Sequence, residues 1–402
     1  MNIAILLVIG LLVAAFVGFN IGGSSTGVTF GPAVGSKIIG KSGAAALFTI
    51  FAFLGGWTVG RNVVETMGGE IVPASQFTLE ASVVVLFFTG LALLVSNLFG
   101  VPASTSMTAV GAIVGLGLAS GTLNEAVMFE IVSAWIVAPV IAFWAGAVVG
   151  RYLYPYLDTH TAFNRIEGDL ICVDQSGSIP RPTLGENATS RDLFGAILVL
   201  TIACYMAFSA GASNTANAIA PLVGSGVITI EFGIILAAGT IGFGAFTIAR
   251  RTLDTVGEGL TDLSILGALI VATISATVIT ALSQLGIPAS RAVSATMCIV
   301  GLGWGRASRA TLLSDAASAA IRGEGEPNLS TGALAAGETT VTSDADRPSV
   351  PEIGEEDRET LAQSDLYDPR ATSRVMVLWV FTPTASAIGS YLLFSLVFGV
   401  GG

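Results

Sequence analysis

Residues Gly211 to Gly226 read GASNTANAIAPLVGSG, a run of small, hydroxyl and amide residues with no charge. The stretch sits inside a very apolar chain. Of its 402 residues 52% are hydrophobic and 11% charged, and mean hydropathy is +0.79. That charged share is under half the value of an average soluble domain, which leaves little room for a water-soluble fold. Apolar runs recur from end to end, among them Val83 to Val95 with its flanks, Ala126 to Val149, Leu193 to Phe208, Ile265 to Leu282 and Val375 to Val400. Runs of about 18 or more such residues read as membrane-spanning helices. The first run, NIAILLVIGLLVAAFVGF, lacks a basic flank and a small-residue cleavage site, so it reads as a span and not as a signal peptide.

The polar stretch decides the architecture because it occurs twice. GGSSTGVTFGPAVGSKII (from Gly22) aligns without a gap on GASNTANAIAPLVGSGVI (from Gly211), placing Pro32 on Pro221, 189 positions apart. The same offset puts RNVVETMG (from Arg61) on RRTLDTVG (from Arg250), pairing Glu65 with Asp254. FGVPASTSMTAVGAIVGLG (from Phe99) meets LGIPASRAVSATMCIVGLG (from Leu285), and WIVAP (from Trp135) meets WVFTP (from Trp379). The order of landmarks is preserved, so the chain reads as two homologous halves, about 1–155 and 190–402.

Two polar stretches interrupt the membrane sequence, Asp158 to Arg191 and Arg306 to Arg374, the second holding nearly half of the acidic residues. The second reads as largely disordered, since it has little apolar surface to bury. Arg151, Arg165, Arg181 and Arg191 lie in or beside the first, and Arg306, Arg309, Arg370 and Arg374 bracket the second. The positive-inside rule makes both cytoplasmic and both termini external. Each half then begins and ends on opposite faces, so the halves are inverted relative to one another. Such repeats, with symmetry-related segments broken by Gly and Pro, are the plan by which secondary transporters build a midplane site with alternating access.

Net charge is −11, and lysine occurs only at Lys37 and Lys41. This acid-rich, lysine-poor usage resembles that of proteins from salt-loving organisms. Cys172, Cys204 and Cys298 are scattered and His160 is the sole histidine, so no zinc, haem or iron-sulfur spacing exists and no cofactor is expected. No base, nucleophile and metal constellation falls in the apolar core, which argues against an enzyme. Nothing resembles a nucleic-acid motif.

A Gly- and Pro-rich break at membrane depth survives only where it is buried or lines a watery cavity. Breaks at Ser24, Ser25 and Thr26, and at Ser213, Asn214 and Thr215, would expose helix N-termini whose free N–H groups form anion sites. PASTS places Ser104, Thr105 and Ser106 after a helix-starting Pro, and PASRA places Ser290 and Arg291 likewise. Four such starts would surround one tetrahedral oxyanion, with Asn217 donating an amide hydrogen bond. Arg291, alone in an apolar segment, would add a forked guanidinium. The competing reading is close helix packing by small residues. Trp135 and Trp379 read as packing or interfacial residues.

Taken together, these motifs resemble the inorganic phosphate transporter (PiT) family. Its GANDVANA-type motif is matched by GGSSTGVTFGPAVGS and GASNTANAIAPLVGS, its PVSTTH element by PASTSM and PASRAV, and its ETxG-like loop by ETMGG from Glu65. The resemblance covers nearly all the membrane sequence and neither large loop. It implies a permease for inorganic phosphate, or for sulfate as in some members, coupled to sodium or protons and assembled as a dimer. The family's aspartates fall on Ser25 and Asn214, and its histidine on Met107 and Val293. Neutral oxygens hold a hard cation weakly. Coupling through Ser25 and Asn214 would therefore need Glu65 or Asp254.

The expectation is an all-α polytopic membrane protein with two inverted-topology repeats, broken or re-entrant helices and about 10–12 membrane segments. Its parts are a first repeat (1–155), a cytoplasmic linker (156–191), the main part of the second repeat (192–305), an acidic cytoplasmic loop (306–373) and a last helix (374–402). The function expected is alternating-access transport of phosphate, with sulfate the near alternative. A non-transporting membrane sensor or scaffold is the reading of another class.

Overall fold

The computed structural model describes residues 3–98, 104–160, 171–174, 181–184, 190–248, 265–310 and 369–396. In chain order the helices are α1 (Ile3–Gly35), α2 (Lys41–Trp57), α3 (Gly60–Glu65), α4 (Leu79–Leu98), α5 (Thr105–Ser120), α6 (Glu125–Val148), α7 (Tyr154–His160), α8 (Ser190–Gly224), α9 (Ile230–Thr247), α10 (Ile265–Gln284), α11 (Arg291–Ala307) and α12 (Pro369–Leu396). A short antiparallel pair, β1 (Ile171–Asp174) and β2 (Arg181–Leu184), lies in the linker. Most of the expected acidic loop, and Asp254, lie outside the described residues. Helices α1, α8, α9, α10 and the continuous rod Glu125–Thr159 are each long and apolar enough to cross a membrane. The bent pair α2–α3 makes a sixth span if counted as one, while Leu79–Val95 and Thr105–Ser120 are shorter apolar helices.

One expectation fails here. Helices α1 and α8 run without interruption through both polar motifs, so Ser24–Thr26 and Ser213–Thr215 are not helix starts. The hydroxyls find partners inside the helix: Thr26 Oγ1 donates to the Gly22 carbonyl (2.7 Å) and Thr215 Oγ1 to the Gly211 carbonyl (2.8 Å). Back-bonding of this kind satisfies Ser and Thr in an apolar setting without opening the backbone. Pro32 and Pro221 lie in the last turns, where each withholds a donor from the carbonyl four residues earlier. The sharp break lies instead between α2 and α3, a 64° bend. From α3 the chain continues into a π-helical turn, Thr66–Glu70.

The glycines bring helices into backbone contact, and they do so reciprocally. A Cβ on Gly22 of α1 would collide with the Ile241 carbonyl of α9, and one on Gly211 of α8 with the Ala52 carbonyl of α2. Likewise Gly244 meets the Phe19 carbonyl, and Gly55 meets the Phe208 carbonyl. Under the sequence offset of 189 each contact maps onto its twin. In the other region Gly115 of α5 meets the Ala387 carbonyl of α12, while Gly301 of α11 meets the Phe143 carbonyl of α6. Helix α1 therefore packs on α9 as α8 packs on α2, and α5 on α12 as α11 on α6. A twofold relation between the halves would generate this exchange.

At one end, basic residues clip α6–α7 to the end of α11. Arg151 Nη1 donates to the carbonyl and the hydroxyl of Ser308, Arg309 Nη1 donates to the Arg151 carbonyl (2.7 Å), and the Arg306 guanidinium lies 4.8 Å from the Tyr154 ring centre. The linker and the acidic loop thus depart from the same end of the molecule.

Candidate functional site

Helices α5 and α11 do begin where the PAS motifs predict. Ser104 and Ser290 are extended N-cap residues, and their hydroxyls accept from the amides of Met107 and Val293, each at 3.4 Å. A Ser cap satisfies the third amide of the helix and leaves the first two, here Thr105–Ser106 and Arg291–Ala292, to find partners elsewhere. The two starts converge, because Met107, Val293 and Trp379 are buried in one cluster with Trp135 packed against it. Positions that carry a histidine in the resembled motif thus meet as apolar side chains.

Helix α8 brings its amides to the α5 start. Asn217 Nδ2 donates to Ser106 Oγ and to Asn214 Oδ1, both at 3.1 Å, and all three residues are buried. Asn217 Oδ1 and Thr108 Oγ1 have no hydrogen-bond partner among the described residues. A buried acceptor without a donor is costly unless something else supplies one. The reach of Asn217 to Ser106 ties the second-half motif to the first-half helix start.

Arg291 takes a different direction. Its Nη1 donates to the Met206 carbonyl of α8 at 3.3 Å. Met206 lies three turns before Asn217 on α8, on the order of 16 Å along the axis, so the guanidinium is turned away from the Asn217–Ser106 group. A guanidinium carries five donors, and one long bond to a carbonyl uses little of that capacity. Among the described residues no carboxylate pairs with it.

The remaining expected residues fall outside this group. Ser24 is exposed and bonds the Asn20 and Ile21 carbonyls of its own helix (3.1 and 3.2 Å). Thr26 is buried, and Thr215 packs against Gly56 of α2. Ser213 is buried, with its hydroxyl 3.5 Å from the Ala210 carbonyl. Ser25 and Asn214 occupy equivalent, buried positions on α1 and α8. Glu65 is exposed on α3, and no described hydrogen bond joins it to Ser25 or Asn214. Sequence reasoning read Trp379 as a packing or interfacial residue and overlooked Thr108. The signal for Trp379 was its recurrence, as the counterpart of Trp135 at a matching place in the other half.

The phosphate transporter family matches residues 21–390. The chain is similar to the sulfate permease CysP of Bacillus subtilis, 30% identical over 73% of this chain and 76% of that protein. It is also similar to a protein of Pyrococcus furiosus named as a candidate phosphate permease, 24% identical over 76% of this chain and 89% of that one. Among solved structures, that of a sodium-dependent phosphate transporter superposes with a TM-score of 0.65 at 17% identity, covering 98% of this chain and 99% of its own.

Proposed function

Because the chain belongs to the phosphate transporter family, we propose that it is a secondary transporter carrying inorganic phosphate across the cell membrane by alternating access. The observation that supports this most is the convergence of two capped helix starts, one from each half, with the α5 start joined to Asn217 of α8 through Ser106. Helix starts attract an anion through free amides and dipole ends. Ser104, Thr105, Ser106, Asn214, Asn217, Ser290 and Arg291 are the residues proposed to hold it. Ser24, Thr26, Ser213 and Thr215 instead turn their hydroxyls to carbonyls of their own helices, and Ser25 lies buried on α1. Phosphate carries at least one O–H at neutral pH and needs an acceptor, a role open to Asn217 Oδ1.

Sulfate is the second reading. It has no proton at neutral pH and asks only for donors, which suits a group without a carboxylate among the described residues. The 30% identity to a sulfate permease favours the same reading. Coupling to sodium or protons would then rest on Glu65 or Asp254, since neutral oxygens alone hold a hard cation weakly.

The exchange of contacts between halves supports a repeat, and the distribution of basic residues supports its inversion with both termini external. The common end of the linker and acidic loop supports placing both in the cytoplasm. Uptake of labelled phosphate and sulfate into proteoliposomes, with sodium and proton gradients imposed separately, tests substrate and coupling together. Saturable uptake of either anion is expected. Absence of flux of both under every gradient would replace transport by the sensor or scaffold reading.

A further inference from the structure

Trp135 and Trp379 occupy the same place in the two halves, yet their indoles differ in environment. Trp135 Nε1 donates to the Pro288 carbonyl at 2.7 Å and so ties down the loop that leads into α11. Trp379 is 8% exposed, and its Nε1 has no acceptor among the described residues. Its ring packs with Met107 and Val293, the third residues of α5 and α11. Neither neighbouring side chain offers a good acceptor: that of valine has none, and a thioether sulfur is a weak one. Among the described residues, then, a buried donor is left without an acceptor where two helix starts meet.

An indole N–H donates and cannot accept, so it suits an anion and is of no use to a cation. We propose that Trp379 supplies its indole N–H as a further hydrogen-bond donor to the transported oxyanion at the convergence of α5 and α11. The assignment rests on the transport reading above and deepens it. It adds a donor that either tetrahedral anion can use, alongside the first-turn amides of α5 and α11. Trp135 holds its own loop through the Pro288 carbonyl, whereas the matching Pro102 lies outside the described residues.

The test uses the full-length protein in nanodiscs with nitrogen-15-labelled indoles, which give one signal for each of the five tryptophans. The Trp379 signal is identified by its loss in Trp379→Phe, or by elimination through Phe replacements of the other four should that variant fail to fold. Titration with sulfate, and separately with phosphate, should move this signal saturably, while chloride should not. Trp379→Phe should weaken binding of the transported anion roughly tenfold or more, the loss typical of a hydrogen bond to a charged group. Trp135→Phe should lower the unfolding temperature and leave anion affinity near wild type. A stationary Trp379 signal during normal anion binding would overturn the proposal, as would unchanged affinity in folded Trp379→Phe. If the wild-type protein binds neither anion, the transport reading falls and this inference falls with it.

Discussion

Lys37 shows how closely single residues follow the repeat. It adopts a left-handed backbone, φ 58°, in the turn after α1, and its counterpart after α8 is Gly226 at φ 71°. A side chain in that region costs about 1–2 kcal/mol, whereas glycine gives back roughly 0.5–1 kcal/mol in the unfolded chain. Lys37→Gly should therefore stabilise the protein by up to about 1 kcal/mol, seen as a raised thermal unfolding midpoint. At the site, Asn217→Leu removes the amide that reaches Ser106 and, with it, an acceptor that is unpartnered among the described residues. Phosphate affinity should fall by more than sulfate affinity, and equal losses for the two anions would remove Asn217 from the acceptor role. Arg291→Ala should abolish anion binding if the guanidinium swings from the Met206 carbonyl to the ligand, with Arg291→Lys intermediate because the fork is lost and the charge kept. Unchanged binding by Arg291→Ala would leave it a structural tie. The residue types at the helix starts were legible in the sequence, but the direction of Arg291 was not. A long flexible side chain goes where the packed neighbours leave an acceptor.

Among the elements, α1 and α8 are the instructive case. Polar residues and Gly in an apolar segment suggested a break, and the helices instead continue. The hydroxyls satisfy themselves on carbonyls one turn earlier, and the glycines serve close approach to α9 and α2. Gly211→Ala drives a methyl into the Ala52 carbonyl and should cost about 1–3 kcal/mol, as overpacking does. Gly22→Ala should behave alike at the twin contact. Gly239, with nothing within 4 Å of its Cβ position, is the control. Its change to Ala should be neutral or stabilising by up to about 1 kcal/mol, and thermal unfolding of the three variants separates the cases. The α2–α3 bend was not legible, because Gly55, Gly56 and Gly60 flank it in a pattern no different from glycines elsewhere that only pack.

Across the whole molecule, reciprocal contacts between halves and a common exit for the linker and acidic loop make orientation testable. Ser178→Cys in the linker should be protected from an impermeant thiol reagent in right-side-out vesicles and labelled in inside-out ones; the reverse pattern would overturn the assignment. Arg61 of α3 and Glu231 of α9 form a half-exposed ion pair across the halves at 3.0 Å. Exposed pairs are worth about 0–1 kcal/mol, so Glu231→Gln should change stability little.

By itself the sequence determined the membrane setting, the recurrence of motifs along the chain, the family and the positions of the α5 and α11 starts. These rest on composition, on repetition along the chain and on local capping chemistry, all of which are carried by neighbouring residues. Only the tertiary structure decided that the α1 and α8 motifs stay helical, that Asn217 meets Ser106 and that Trp379 packs with Met107 and Val293 where the two helices start. Each of those depends on which groups another helix brings within reach, about 3 Å for a hydrogen bond, and no local pattern encodes that distance.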